Sequence, residues 1–236
     1  MIRGQPVTAI IPVRGGSKGI PRKNLRPLGH ENLLERTMKF VLRSPRITRT
    51  IVTTDDSEMH AVAKRYGVQS PSLRPAHLAS DTATTTAVVQ HVVQECEIRT
   101  GYILILQVTS PFRTLADLEN LCATYESGNA DAIVSLVALE EPRPEKLKRI
   151  ENGITRPYMA ESFEGPRQSL PQPYKLNGAF YLISLQAFQR EGKFLPAATL
   201  PFIMPDERSH NLDTATDWNI MEAMLAARHW VLEQYD

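Results

Sequence analysis

Short apolar runs of β type alternate along this chain with helical patterns, and that alternation restricts the fold more than any other feature. Val7–Val13 is followed by a helix-like Leu33–Leu42, then by Thr50–Thr54 and by a helical Ser57–Tyr66 with Ala61, Val62 and Tyr66 on one side. Thr82–Arg99 is a longer helical stretch, Tyr102–Gln107 a strongly apolar strand, Leu115–Glu126 a helix and Ala132–Val137 the next strand. This βαβα order predicts an α/β fold of three layers, a mostly parallel sheet with helices on both faces. Function then belongs at the carboxyl ends of the strands. The pattern changes near Glu140. Residues 140–176 are rich in proline and charge (EEPRPEKLKR, then QSLPQPYK) and read as an inserted lobe with short antiparallel strands. Asn177–Ser184 returns to a strand, LPFIM precedes another loop, and Thr214–Tyr235 closes the chain as an amphipathic helix. A single domain over 1–236, with the lobe inside it, suits 236 residues of 42% hydrophobic content.

A formal net charge of +1, without a basic tail or stripe, argues against a nucleic-acid binder. Cys96 and Cys122 fall in helix-like segments and read as buried thiols in a reducing compartment, not as a disulfide or zinc pair. There is no signal-peptide pattern and no apolar run of membrane-spanning length, so a cytoplasmic location is expected.

The first strand ends abruptly in RGGSKGIPRKN. Arg14, Lys18, Arg22 and Lys23 surround Gly15, Gly16 and Ser17. Glycines let backbone N–H groups approach an anion, and the cations neutralise it, so the loop reads as a phosphate cradle. It is not a P-loop, because Lys18 precedes Gly19 instead of opening a GK[ST] helix, and it is not GxGxxG. Pro21 interrupts any helix starting at Gly19, leaving an open loop suited to a nucleoside triphosphate. Lys18 and Arg22 taken singly read equally well as solvated surface cations. Asn24, at the loop's end, fits a contact to base or ribose.

Together with LRPAHLASDTATT, LQVTSPFRT, PRQSLPQ, LNGAFYL and NLDTATDW, this loop resembles the CMP-sialic acid synthetases, the acylneuraminate cytidylyltransferases. The segments stand in the family's order over nearly the whole chain. The resemblance implies a Rossmann-like nucleotidyltransferase fold and transfer of CMP from CTP to the anomeric hydroxyl of a nonulosonic acid, with Mg²⁺ and release of pyrophosphate. It implies that Arg14 holds the triphosphate, with Ser17, Lys18 and Lys23 in the same cradle. It sets Arg74 and Ala83 by the cytosine and Thr85 near the ribose, while Ser80 and Asp81 also fit a helix N-cap. Gln107, Thr109 and Ser110, just beyond a buried parallel strand, would face the sugar, with Thr109-Ser110-Pro111 also readable as a plain turn. Lys146, Arg167 and Lys175 match positions that approach the sugar acid or the phosphates, competing with a reading as solvated surface charge. The lobe implies a homodimer.

Three departures stand out. Val108 replaces a common proline, Lys175 a common arginine, and Asn211 the first of two aspartates that otherwise reach one Mg²⁺. Asp213, the second, reads as a metal ligand or as the N-cap of the last helix. Asn211 offers a carbonyl oxygen without charge, so weaker Mg²⁺ binding is expected. The alternatives are a relative using Kdo or another sugar and nucleotide, and a catalytically silent nucleotide-binding homologue, which Asn211 keeps open.

Overall fold

The structure is a computed structural model describing residues 1–16, 19–159, 170–227 and 232. In chain order its elements are β1 (Val7–Pro12), the short β2 (Pro27–Leu28) and β3 (Glu31–Asn32), α1 (Leu33–Arg43), β4 (Arg49–Thr53), α2 (Ser57–Arg65) and α3 (Thr85–Glu95). There follow β5 (Tyr102–Ile105), α4 (Leu115–Ser127), β6 (Ala132–Ala138), the hairpin β7 (Lys148–Glu151) and β8 (Ile154–Pro157), β9 (Tyr174–Ser184), α5 (Leu185–Glu191), β10 (Thr199–Ile203) and α6 (Ala215–Ala226).

The six-stranded sheet has the order β10-β6-β9-β5-β1-β4. β1 is parallel to β4 and β5, and β10 to β6, while β9 runs antiparallel to both its neighbours. The expected mostly parallel α/β sheet is therefore present. Alternate side chains of each strand point to opposite faces. Ile11, Leu104 and Leu182 pack with α1, α2, α4 and α6 through residues such as Phe40, Met59, Leu118 and Trp218. Ile10, Ile103 and Ile183 pack with α3 and α5 through Val89, Val92 and Phe188. Both faces are covered, which explains why the strands read as continuous apolar runs rather than alternating ones.

Several expected boundaries move. The helix expected over Thr82–Arg99 begins at Thr85 and is capped by Thr84, whose side chain accepts the Ala87 N–H; neither Ser80 nor Asp81 is its cap. The last helix is capped by Thr214, in a capping box with Asp217, and not by Asp213. In α2 the buried side is Met59, Val62 and Ala63, and Ala61 is exposed. Cys96 and Cys122 are buried free thiols, and burial pushes the Cys122 thiol up to about 12.

β9 carries the main irregularity. Val134 pairs with Tyr181 but Leu136 with Leu176, so the ladder skips residues 177–180. Ser135 fills the gap: its hydroxyl donates to Asn177 Oδ1 (2.6 Å) and accepts the Phe180 N–H (2.8 Å). At the arch Gly178 has φ +76° and packs so closely that a Cβ would lie 2.3 Å from Gln107 Oε1. Only glycine suits both constraints. The arch therefore presses on the loop after β5.

Candidate functional site

β1 leads on to β4 at one side, while β5 leads on to β6 at the other, so a crevice is expected between their carboxyl ends. A cleft of about 600 Å³ opens there. Its walls come from four parts of the chain: Pro12–Arg14, Gly19, Lys23 and Asn24 at and beyond the end of β1; Arg74, Leu78–Asp81, Ala83, Thr85 and Val88 before and along the start of α3; Gln107–Thr109 after β5; and Asn211 and Asp213 before α6.

On the β1 side the cations pair with carboxylates or carbonyls. Arg14 Nη1 donates to Asp81 Oδ1 (2.8 Å), with both side chains substantially exposed. The Gly15 N–H donates to Asp55 Oδ1 (3.1 Å), and Gly16 is exposed. Lys23, largely buried, reaches the Leu212 carbonyl and lies 3.3 Å from Asp213 Oδ1. Asn24 is 4% exposed, and its Nδ2 donates to the Arg14 carbonyl (3.1 Å). Its Oδ1 is buried with no partner among the described residues, an acceptor left over beside the cleft. Gly19 packs on the Asp213 carbonyl, which a Cβ would approach to 2.4 Å. Ser17 and Lys18 lie outside the described residues.

Arg74 lines the cleft but spends its guanidinium elsewhere. It donates to the carbonyls of Val13 and Thr53, at the ends of β1 and β4, and burial lowers its pKa despite Asp55 nearby. Its Nε has no partner among the described residues. Ala83 and Thr85 line the same wall, with Leu78 and Val88 as apolar lining.

Opposite, Gln107 and Thr109 line the cleft. Ser110 does not follow them: it is fully buried and its hydroxyl donates to the Asn177 carbonyl (2.8 Å). Thr109 is tied through its carbonyl to the Leu212 N–H (2.8 Å), which sets the Asn211–Asp213 segment beside it. There Asn211 Nδ2 donates to Asp213 Oδ2 (2.7 Å), while Asn211 Oδ1 is buried without a partner among the described residues. Lys146 sits in the lobe, paired with Glu141 at 3.2 Å, and Lys175 is exposed on β9 opposite Val137; neither belongs to the cleft walls. Arg167 lies outside the described residues.

Sequence reasoning passed over Arg113. It is 2% exposed and donates to the carbonyls of Ser110 (2.9 Å), Ala179 (2.8 Å) and Gln107, with Phe40 and Phe180 rings within 6 Å. No local pattern marks an arginine as a clasp for three carbonyls. The helix caps had a usable signal: Thr114-x-x-Asp117 and Thr214-x-x-Asp217 are both capping boxes.

The profile of the cytidylyltransferase family matches residues 8–193. The chain belongs to the cytidylyltransferase family. This cytidylyltransferase is 28% identical to the CMP-N,N'-diacetyllegionaminic acid synthase of Legionella pneumophila, over 93% of the chain and 96% of that protein. It is 25% identical to the pseudaminic acid cytidylyltransferase of Campylobacter jejuni, with the same coverage of both chains. It is 29% identical to the N-acylneuraminate cytidylyltransferase of Escherichia coli, over 91% of the chain but 51% of that protein. The expected resemblance to the CMP-sialic acid synthetases thus holds. A solved CMP:2-keto-3-deoxy-manno-octonic acid synthetase complexed with CTP shares the fold at a TM-score of 0.66 and 16% identity, covering 94% of this chain and 99% of that one. A 4-diphosphocytidyl-2C-methyl-D-erythritol synthase does so at 0.64, again over 94% of this chain. Among the described residues no helix is long and apolar enough to cross a membrane.

Proposed function

We propose that this cytidylyltransferase transfers CMP from CTP to the anomeric hydroxyl of a nonulosonic acid and releases pyrophosphate. One observation carries the reading. In a chain whose relatives are named for CMP-nonulosonic acid synthesis, a single cleft at the sheet's switch point has Arg14, Lys23 and glycine backbone on one wall, and Gln107 and Thr109 on the other.

In the reaction the sugar's anomeric oxygen bonds to the α-phosphorus as the bond from that phosphorus to the β-phosphate bridge breaks. Little covalent chemistry falls to the protein, and charge and alignment matter most. Arg14 exchanges its exposed Asp81 partner for the triphosphate, and Lys23 turns from the Asp213 segment to place a point charge on phosphate. Gly16, exposed next to the anchored Gly15, leaves its backbone open to the phosphates. Asn24 Oδ1 accepts from base or ribose, and Ala83 and Thr85 border the nucleoside. Arg74 supports that wall through its contacts to the carbonyls of Val13, Thr53 and Leu78. Gln107 and Thr109 orient the sugar.

Asn211 and Asp213 are the residues that would hold Mg²⁺. An orphaned amide oxygen beside one carboxylate fits an ion that takes one or two carboxylates and fills its shell with substrate phosphates and water. Among the described residues no cluster of three or more His, Cys, Asp or Glu could hold a metal ion. When bound, the ion supplies neutralisation of phosphate charge. The lobe is proposed as a homodimer contact within a single domain, because Ile150 (79% exposed), Ile154 (55%) and the adjoining Tyr158 and Met159 present apolar surface there.

The test is pyrophosphate release from CTP in the presence of N-acetylneuraminate, legionaminate, pseudaminate and Kdo. Turnover is expected with at least one nonulosonate carrying an acylamino group. Turnover with Kdo alone, or CTP binding with no turnover, sinks the proposal.

A further inference from the structure

The glycine-and-cation loop is held at both shoulders by one short segment, Asp55–Asp56, between β4 and α2. Where the loop begins, Asp55 Oδ1 accepts the Gly15 N–H at 3.1 Å. Gly15 also packs on Asp56 so closely that a Cβ would lie 2.8 Å from its Oδ2. Where the loop ends, Arg22 Nη1 donates to that same Oδ2 at 2.7 Å, and its Nη2 donates to Glu58. The second Asp56 oxygen caps α2, accepting from the N–H groups of Glu58 (2.9 Å) and Met59 (3.0 Å). One carboxylate is therefore divided between a helix terminus and the loop.

Arg22 itself has φ 54°, a left-handed conformation that a non-glycine residue seldom adopts. Such a conformation persists where the surroundings over-determine it. The guanidinium supplies that restraint by bridging two carboxylates, and Arg22 does not belong to the cleft walls. By composition Arg22 belongs with the phosphate-facing cations; by geometry it pairs with Asp56 and Glu58.

We propose that Asp55 and Asp56 are positioning residues for the triphosphate loop, and that Arg22 is their latch and not a phosphate ligand. The proposal rests on the reading of this cleft as a CTP site. With the shoulders fixed, Arg14, Gly15 and Lys23 are presented in one arrangement before the nucleotide arrives. Without them the loop must be ordered by the ligand, which weakens binding.

Calorimetric titration with CTP and steady-state kinetics on the full chain test this. Asp56→Asn keeps a good helix cap, since Asn caps as well as Asp, but loses the charge that holds Arg22. Its CTP Kd and CTP KM are expected to rise about two- to fivefold, the scale of a partly exposed ion pair, with kcat and acceptor KM unchanged. Arg22→Ala should match it, and the double variant should be no worse than either single one. Were Arg22 a phosphate ligand, Asp56→Asn would free it and tighten CTP. Tightening, an unchanged Kd, or losses that multiply in the double variant would each overturn the proposal.

If Asp56→Asn fails to fold, Asp55 reads the other shoulder. Asp55→Asn keeps an acceptor for the Gly15 N–H and should bind CTP more tightly than Asp55→Ala; equal affinity overturns the proposal. If the wild-type chain binds no CTP, the functional reading itself fails. Exchange of the Gly15 amide in ligand-free wild type and Asp55→Ala then still reports the latch: faster exchange in the variant supports it, equal rates refute it.

Discussion

The two loops that face each other across the cleft follow adjacent parallel strands, yet they are held by opposite means. The loop after β1 is held by ion pairs whose members are partly exposed: Arg14 with Asp81, Arg22 with Asp56 and Glu58, Lys23 with Asp213. The loop after β5 is held by neutral carbonyls gathered on the buried Arg113, and by the buried Ser110 hydroxyl on Asn177. An exposed ion pair is worth little and exchanges easily, whereas a buried guanidinium cannot leave its acceptors without leaving charge and carbonyls unpaired. The β1 loop can therefore hand its cations to an incoming anion, while the β5 loop is a fixed wall against which the second substrate is set.

The largest effect should come from breaking this division at Arg14. Arg14→Ala is expected to lower kcat/KM by about 10²–10³, the usual loss for a well-placed stabiliser of developing charge. Because Arg14 and Asp81 are both substantially exposed, stability should stay within about 0.5 kcal/mol of wild type. Denaturant unfolding beside kinetics checks both halves. An active Arg14→Ala protein would contradict the assignment.

Arg113→Met should do the reverse and act first on folding. It leaves the carbonyls of Gln107, Ser110 and Ala179 without their buried donor, at a cost of about 3 kcal/mol or more. For a chain of this size that corresponds to a melting temperature lower by about 6–12 °C. A fall of only a degree or two would show that the β5 loop does not depend on this clasp.

Gly178→Ala sharpens the comparison with a milder change. The new methyl group meets Gln107 Oε1 and Ser110 Oγ at a positive φ, so about 1–3 kcal/mol of strain is expected. The acceptor KM should rise while CTP binding holds, since the disturbance falls on the fixed wall. Equal disturbance of both substrates would mean that the two walls are not independent. Asn211→Asp, on the segment that joins the walls, should lower the Mg²⁺ concentration for half-maximal activity severalfold, because affinity for hard cations follows ligand charge. An unchanged metal titration would remove Asn211 from the ligand set.

The same contrast explains what could be read from the chain. The β1 loop was legible because its chemistry lies in residue types: adjacent glycines, cations and a strand end. Its internal assignments were not, because Arg22 and Lys23 look alike in sequence and differ only in what folds up behind them, the Asp55–Asp56 turn in one case and the Asp213 segment in the other. The β5 loop gave its rim residues, Gln107 and Thr109, through the rule about strand ends. Ser110 was expected at the rim and Arg113 was passed over, because the Ser110 acceptor and one of the three Arg113 acceptors are backbone atoms of β9, about seventy residues away along the chain. The direction of β9 was equally hidden, since a strand buried on both faces reads the same either way. The cap of α3 was misplaced because SDTATT offers several capping residues, and the choice among them is fixed by where Val88, Val89, Val92 and Val93 must be buried.

The smallest expected effect concerns acid. Burial pushes the Asp56 carboxyl up, but the N–H groups of Met59 and Glu58 and the Arg22 guanidinium outweigh it and hold its pKa below the ordinary 3.8. A carboxyl depressed on folding contributes stability above its unfolded pKa and loses that contribution as pH falls through the folded one. Asp217, held down by the Thr214 and Asp213 N–H groups against the opposing effect of burial, adds in the same direction. Stability should accordingly decline below about pH 4. Asp56→Asn should remove part of that decline, because its amide does not titrate, at the cost of slightly lower stability near neutrality. The three carbonyls gathered by Arg113 do not titrate, so Arg113→Met should lower the whole stability curve without changing its acid slope. Urea unfolding from pH 3 to pH 7 on the three proteins separates these outcomes. If Asp56→Asn keeps the full acid slope, the hold on the β1 loop is not the ionic one described, and the contrast between the two walls loses its electrostatic half.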